Sequence, residues 1–399
     1  MTAGTGSKAQ EPWSKKHKRV TRASDGGLPH SLSNSFAQPL SHLELVQLSR
    51  ARGDHALVEE YNNHSLVYTS NGGSLDLREQ IAQMYGPAIG AENVLVFAGA
   101  QVALQTAAFA LAADCHSIVF TPGYQSTVEA PAHAGGQVTQ IKLKAAKGWQ
   151  IDPAEVQAAI RPNTRYLVLN EPYNPAGTLM SAALQGELTA MAEAHEIRIL
   201  SDEVYRLLEH NEHDRLPAMA DIYTRGISAA TLSKPWGGCG ITIGWLAFQD
   251  LGIKQALVDA QYFGTACPSR ASELQAIMVL RSSERILGRN LAIIRHNLGL
   301  LDEFIARYRF VRVHTGQRSS SSRSWAVHFC VRSCSHALCL VTCHALVYCH
   351  AHMRTQSGWL SACVSVCPCL PACLPVCLPA CLLSCLTYSF VRAPFRPST

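Results

Sequence analysis

Short apolar runs alternate along residues 93–248 with stretches built from strong helix formers. The runs have the length of strands, and they predict strands over 93–99, 117–123, 136–143, 164–172, 197–203, 226–233 and 241–248. The intervening stretches predict helices over 100–113, 152–160 and 184–196. Near-continuous apolar strands separated by helices are typical of a mostly parallel sheet that is covered on both faces. The pattern therefore predicts an α/β fold.

A longer amphipathic helix is predicted over 283–310. Its apolar residues recur at steps of three and four positions and form one stripe, made of Ile286, Leu287, Leu291, Ile294, Leu298, Leu301 and Ile305. We expect this helix to lead from the sheet into a second, smaller domain.

The chain changes character near residue 316. No acidic residue follows Glu303, and residues 369–386 read "CLPACLPVCLPACLLSCL", a period of four. A disulfide or metal framework is disfavoured, because the prolines forbid a helix and the spacing matches no usual zinc pattern. A membrane span is disfavoured by the same repeated prolines. The third explanation, which we favour, is translation of a tandem TGCC repeat, because every reading frame of that repeat encodes Cys-Leu-Pro-Ala.

These features predict four segments. We expect a flexible basic arm over 1–30, a large domain over 31–282 and a long helix over 283–316 that enters a truncated small domain. Residues 317–399 are predicted to be a low-complexity tail that is rich in Cys, Pro and Leu and has no native fold.

Charge and cysteine usage narrow the class of protein. The formal net charge is +5, and much of the positive charge lies in "KKHKRVTR" over 15–22. We interpret this stretch as a solubilising tail rather than as a nucleic-acid site. Three of the 15 cysteines, Cys115, Cys239 and Cys267, precede residue 330. Such a low cysteine content in the first 300 residues is typical of a protein whose thiols stay reduced in the cytosol. We therefore expect a cytoplasmic protein that has no nucleic-acid, membrane or metal partner.

Candidate chemistry follows directly after the predicted strands, where open α/β sheets bind their ligands. Gly99, Ala100 and Gln101 end one strand and open a helix, and the free N–H groups there suit a phosphate. Tyr124 follows the next strand and can stack on a planar ring.

Two later strand ends carry an amide and a carboxylate. Asn174 lies in an Asn-Pro turn within "NEPYNPAGT", and its amide can donate to a phenolic oxygen. Asp202 follows an apolar strand, and a buried carboxylate there needs a partner such as a protonated ring nitrogen. Tyr205 can reach the same face.

Lys234 lies in the glycine-rich, otherwise apolar run that follows Thr231 and Ser233, whose hydroxyls suit a phosphate. A lysine in a surface turn is the plain interpretation. Alternatively, desolvation lowers the pKa of the amine, which can then form a Schiff base with a carbonyl. Together with the other strand ends, this lysine matches the needs of pyridoxal 5'-phosphate, an electron sink in amino-acid chemistry.

Residues 60–250 resemble the class I/II aminotransferases of fold type I. The motifs "YTSNGGSLDLREQIAQMYG", "GAQVALQTA", "TPGY", "NEPYNPAGT", "SDEVY" and "SK…G…GW" occur in the family's order. The resemblance implies a seven-stranded type of sheet, a pyridoxal-phosphate-dependent transaminase that acts on an amino acid, and a homodimer. It also implies that Tyr68 reaches the phosphate bound by the neighbouring subunit.

Within that family, "SKPWGGCGITIGWLA" is most similar to capreomycidine synthase-like members. That similarity implies an alternative reaction, an elimination followed by cyclisation.

This chain departs from the family pattern at two points. Most relatives have an arginine eight residues after the lysine, where this chain has Thr242. Relatives also carry an arginine for the substrate α-carboxylate in the small domain, and the family pattern is expected to end here near residue 316.

Three functions remain open at this point. The chain is either an active transaminase-like enzyme, a catalytically dead truncated homologue that dimerises with an intact isoform, or a protein anchored to a membrane by its tail.

Overall fold

The computed structural model describes residues 35–307, 311–313 and 329–331. The chain divides into two compact units, Met1–Cys330 and Val331–Thr399, and the central sheet and the helices lie in the first. The predicted arm over 1–30 lies outside the described residues. The predicted tail over 317–399 also lies outside them, apart from a short strand.

The centre of the fold is a seven-stranded sheet. Its strands are β1 (Val94–Phe97), β2 (His116–Thr121), β3 (Gln137–Lys142), β4 (Thr164–Asn170), β5 (Arg198–Asp202), β6 (Gly226–Thr231) and β7 (Gly244–Phe248). They lie in the order β1-β7-β6-β5-β4-β2-β3. Strand β7 is antiparallel to both of its neighbours, and the other neighbouring pairs are parallel. The predicted α/β fold with a mostly parallel sheet is confirmed.

The described helices are α1 (His42–Ala51), α2 (His55–Asn63), α3 (Leu75–Ala82), α4 (Ala100–Leu111), α5 (Gln125–His133), α6 (Pro153–Ala159), α7 (Ala182–Ala194), α8 (Met219–Ile222), α9 (Lys254–Tyr262), α10 (Arg270–Arg281) and α11 (Ser283–Arg307). Short 3-10 turns cover Ala91–Asn93, Ala145–Lys147, Glu212–Asp214, Cys239–Ile241 and Leu251–Ile253. Strands β8 (Val311–Val313) and β9 (Phe329–Val331) lie outside the central sheet. The helices predicted over 100–113, 152–160 and 184–196 are present within two residues of their expected ends.

Both faces of the sheet are buried, which explains the apolar runs. Val94 and Val96 of β1 pack into one cluster with α1, α2, α3 and α10. The alternate residues, Leu95 and Phe97, pack into another cluster with α4 and α9. Side chains alternate along a strand, so a strand that is buried on both faces must be apolar at every position.

Helix α11 confirms the long helix predicted after residue 283, although its described part ends at Arg307. Ile286 on the predicted apolar stripe is fully buried. The later stripe residues are only half-buried, namely Leu287, Leu291, Ile294, Leu298 and Leu301. The described residues therefore cover the stripe fully only near its start.

Strand β7 begins three residues later than predicted, because Thr242 adopts a left-handed conformation (φ 57°) and interrupts the run. The strand starts at Gly244, which lies directly against the first turn of α4. A Cβ at Gly244 would lie 2.6 Å from the Gly99 carbonyl carbon and still closer to the Ala100 nitrogen. Only glycine permits this approach.

Replacing Gly244 by alanine should therefore destabilise the protein. The added methyl meets backbone rather than a movable side chain, so we expect a loss of about 1–3 kcal/mol in the free energy of unfolding. Urea denaturation measures this loss. The matched control is Gly240→Ala, because no atom lies within 4 Å of a Cβ at Gly240. Equal stability of the two variants would contradict the proposed close contact.

Candidate active site

The carboxyl ends of the parallel strands bring most of the predicted residues to one edge of the sheet. Gly99 follows β1, Tyr124 follows β2 and Asn174 follows β4. Asp202 ends β5, and Lys234 follows β6. Because β4, β5 and β6 are neighbours in the sheet, the amide, the carboxylate and the amine belong to adjacent strands.

Lys234 lies half-buried in the turn that follows β6, at this edge of the sheet. Its Nζ donates to Ser35 Oγ at 3.3 Å and lies 5.9 Å from the centre of the Tyr205 ring. Ser35 Oγ is in turn 2.8 Å from the Tyr205 hydroxyl. Burial lowers the pKa of Lys234, while Cys239 and Asp202 act in the opposite direction. The neutral, nucleophilic form of the amine is therefore more accessible than in water.

Asp202 is a buried carboxylate with little hydrogen bonding of its own. The residue is 1% exposed, and burial raises the pKa of its carboxyl to about 7, against a lowering influence from Lys234. Among the described residues, its carboxylate accepts one hydrogen bond, a long one of 3.4 Å from the Val204 N–H. A cationic donor at this point would supply the partner that a buried carboxylate requires.

Tyr124 links this carboxylate to the start of α4. Burial raises the pKa of Tyr124, and the charge of Asp202 acts in the same direction, so the two groups lie near one another. The Tyr124 hydroxyl is 3.5 Å from Gln101 Oε1 in the first turn of α4. The predicted stacking ring therefore lies beside the predicted phosphate cradle and within electrostatic range of the predicted carboxylate.

The start of α4 leaves backbone N–H groups open to a ligand. Gly99 occupies the N-cap position with φ 94°, and no side chain caps the helix. Thr242 lies beside it, because its Cγ2 would be 3.6 Å from a Cβ at Gly99. A helix of this length with an open start attracts anions. Thr242, the residue at the usual arginine position, therefore borders the expected phosphate cradle.

The two hydroxyls before Lys234 differ in availability. Thr231 is buried, and its hydroxyl donates to the Ile243 carbonyl at 2.9 Å. Ser233 is half-buried, and its Oγ lies 3.1 Å from Thr231 Oγ1. The proton of Thr231 is therefore committed to the β6–β7 turn, which leaves Ser233 as the better candidate donor to a ligand.

Tyr68 is not brought to this site within the single chain. It is 95% exposed and lies in the loop before α3. Thr69 Oγ1 donates to the Pro268 carbonyl at 2.8 Å, which holds this loop beside the segment that follows α9. Leu66 and Val67 of the same loop are also exposed, as is Phe263, which directly follows α9. Leu66, Val67 and Tyr68 are consecutive, so this loop presents a run of large apolar side chains to solvent, as interaction surfaces often do.

Two residues of the site are absent from the sequence prediction. Ser35 contacts Lys234 across 199 positions of the chain and has no local signal. Asn170 ends β4 and bonds to both Asp202 and Asn174. Its place at a strand end is the same signal that identified its neighbours.

Neither a metal centre nor a membrane span is found in the part of the chain that the structure describes. Within 35–307 and the two short strands, no three His, Cys, Asp or Glu side chains are placed to hold a metal ion. In the same residues, no helix combines the length and the apolar character that crossing a bilayer requires. Cys115, Cys239 and Cys267 are free thiols.

Asp202→Asn should change how stability depends on pH in the cofactor-free chain. The folded chain keeps this carboxyl protonated up to about pH 7, whereas the unfolded chain loses the proton near pH 4. Wild-type stability therefore falls as pH rises through this window. The variant lacks this loss, so its stability relative to wild type should rise with pH, by roughly 1.4 kcal/mol per pH unit at most.

Urea denaturation between pH 4 and pH 7 measures this difference. The control is Asp114→Asn at an exposed position, which should leave the pH slope unchanged. A stability difference between Asp202→Asn and wild type that stays constant over the window would contradict the burial of a protonated Asp202.

Comparison with known proteins gives one consistent family. Residues 48–380 match the model of the aminotransferase class I and II family. This match extends past residue 316, where we expected the sequence pattern of the family to end. Arginine–pyruvate transaminase AruH of Pseudomonas aeruginosa is 34% identical over 188 residues, which are 45% of this chain and 47% of that protein. Kynurenine–oxoglutarate transaminase 1 of Mus musculus is 30% identical over 222 residues, 51% of this chain and 52% of that protein.

Solved structures agree with the fold. A PLP-dependent aminotransferase from Streptococcus suis 89-1591 superposes with a TM-score of 0.70 at 26% identity, over 78% of this chain and 79% of that chain. The chain spans about half the length of the curated relatives it matches. The extent of the family match, together with the order of the strand ends, shows that this chain belongs to the class I and II aminotransferase family.

Proposed function

We propose that this chain is a pyridoxal-phosphate-dependent transaminase that acts on an amino acid. The observation that carries the proposal is that a partly desolvated amine, Lys234, and a buried carboxylate without a strong partner, Asp202, lie at the ends of adjacent strands. These two groups suit the carbonyl and the ring nitrogen of the cofactor. Membership of the family, whose members use pyridoxal 5'-phosphate, supports the same assignment.

The remaining residues of the site fit the other parts of the cofactor. The open start of α4 at Gly99, Ala100 and Gln101 would bind the phosphate with the help of Ser233. Thr231 would act mainly by fixing Ser233, because its own proton is used by Ile243.

The ring would be held by three further residues. Tyr124 would stack on its face, and the Asn174 amide and the Tyr205 hydroxyl would donate to its phenolic oxygen. Burial raises the pKa of Tyr205 to about 12, so this hydroxyl keeps its proton and stays a donor at neutral pH.

Lys234 would have two tasks. When bound, the cofactor supplies an electron sink for the electron pair that remains on the substrate's Cα when its proton leaves. Lys234 holds the cofactor through Nζ and, when free, accepts the Cα proton and returns it to a different atom. Its lowered pKa suits both tasks, since only the neutral amine attacks a carbonyl or accepts a proton. Asp202 holds a compensating negative charge where the ring nitrogen would lie.

We also propose that the active form is a cytoplasmic homodimer. The consecutive exposed side chains of Leu66, Val67 and Tyr68 support pairing with a second copy, because a monomer rarely leaves a run of large apolar side chains in water. In a dimer, Tyr68 would reach the phosphate in the neighbouring subunit and offset the absence of an arginine at Thr242. The free thiols support a reducing compartment.

A capreomycidine synthase-like elimination and cyclisation is the weaker alternative. The relatives named above are transaminases, and transamination is therefore the reaction we favour. A catalytically dead form is the second alternative, and the product analysis below distinguishes it from an active enzyme.

Product analysis with a lysine variant tests the proposal. The purified chain is loaded with pyridoxal 5'-phosphate and incubated with arginine, kynurenine or aspartate. We expect one equivalent of keto acid per bound cofactor, together with conversion of the cofactor to pyridoxamine phosphate. Lys234→Ala should reduce this conversion by at least about 100-fold, the usual size of a general acid–base effect.

The matched control is Lys254→Ala. Burial also lowers the pKa of Lys254, yet its Nζ donates to the Glu92 carbonyl, away from Asp202. The control should therefore keep wild-type conversion. A cyclic amino acid with unchanged cofactor would favour the cyclisation alternative. Cofactor binding without any product would favour the catalytically dead form.

A further inference from the structure

Asn170 joins two of the residues that the site depends on. It is the last residue of β4 and pairs in register with Asp202, the last residue of β5. Its Nδ2 donates to the Asp202 carbonyl at 2.9 Å, and its Oδ1 accepts from the Asn174 N–H at 2.7 Å. A single planar amide therefore spans the main chain of both residues.

We propose that Asn170 is a positioning residue that sets the distance between Asn174 and Asp202. This proposal rests on the proposed function, in which Asn174 donates to the phenolic oxygen of the cofactor and Asp202 pairs with its ring nitrogen. The two cofactor atoms belong to one rigid ring. Their protein partners must therefore be held at a fixed separation, and Asn170 provides that connection.

The Asp202 carbonyl does not need the hydrogen bond from Asn170 in order to be satisfied. The Asp202 carbonyl already accepts the Glu171 N–H at 3.0 Å. A carbonyl with one such bond is satisfied, so the second bond from Asn170 mainly fixes orientation.

The bond to Asn174 ties the loop after β4 back to the sheet. Two backbone hydrogen bonds close that loop on itself. The Tyr173 N–H donates to the Thr178 carbonyl at 3.0 Å, and the Gly177 N–H donates to the Tyr173 carbonyl at 2.6 Å. The Tyr173 side chain is buried, and its hydroxyl donates to the Pro122 carbonyl, which anchors the loop beside the end of β2. Among the described residues, the side chain of Asn170 provides the hydrogen bond to the Asn174 N–H at the loop's near end.

Removal of the amide should loosen the cofactor site while the sheet stays intact. Asn170→Leu keeps a similar volume and removes both bonds. We expect affinity for pyridoxal 5'-phosphate to fall about tenfold, the factor that one or two hydrogen bonds provide. We also expect the pH midpoint of the visible absorbance to rise, because weaker donation by Asn174 no longer favours the ionised phenolic oxygen.

Asn93 provides a matched control at the opposite edge of the sheet. Its Nδ2 donates to the Phe248 carbonyl at 2.9 Å, and its Oδ1 accepts from the Gly90 N–H at 3.0 Å. Asn93→Leu therefore removes the same two kinds of bond. It should lower the thermal unfolding temperature of the full chain, yet leave cofactor affinity and the pH midpoint at their wild-type values.

The experiment titrates the full-length wild type, Asn170→Leu and Asn93→Leu with pyridoxal 5'-phosphate and records visible spectra against pH. If the leucine variant at Asn170 does not fold, Asn170→Ala takes its place with the same expected changes. Weakened binding and a raised midpoint in the Asn170 variant alone support the role. Unchanged values in that variant, or equal changes in Asn93→Leu, overturn it. No band in the wild type would contradict the proposed function itself, and this role with it.

Discussion

The burial of Asp202 close to Lys234 is the constraint on which the candidate site depends. Removal from water disfavours the charged form of each group, while their mutual attraction favours it. Burial prevails for Asp202, whose carboxyl pKa is raised to about 7, and burial is also the largest effect on Lys234. A ligand that offers a cation to the carboxylate and a carbonyl to the amine removes both penalties. Without a ligand, the site therefore carries a free-energy cost, which binding of the proposed cofactor would recover.

The scaffold holds these groups through backbone contacts that tolerate little change. Strand β7 is antiparallel to its neighbour β1. At Gly244 it approaches α4 so closely that there is no room for a side chain. This approach places Thr242 beside the open start of α4. On the other side of the site, the amide of Asn170 links two strand ends. The phosphate end of the proposed cofactor would therefore rest on the start of α4, and its ring end on the ends of β4 and β5.

Much of this arrangement is predictable from sequence, because strands buried on both faces must be apolar throughout and because ligands bind where parallel strands end. Lys234 and Asp202 follow from those two rules. Helices α1–α3 do not, since each is short and buries only two or three residues. Ser35 is unpredictable for a different reason, because its contact with Lys234 depends on how the folded chain returns to the sheet. The late start of β7 reflects the backbone conformation at Thr242, which an apolar pattern does not encode.

Covalent capture of the cofactor tests the central claim most directly. The full chain is incubated with pyridoxal 5'-phosphate, reduced with borohydride to fix any imine as a stable amine, digested and analysed by mass spectrometry. We predict a 5'-phosphopyridoxyl group on Lys234 at near-stoichiometric yield, with Lys254 unlabelled although burial lowers its pKa as well. Labelling that is spread over several lysines, or concentrated on one other than Lys234, would contradict it.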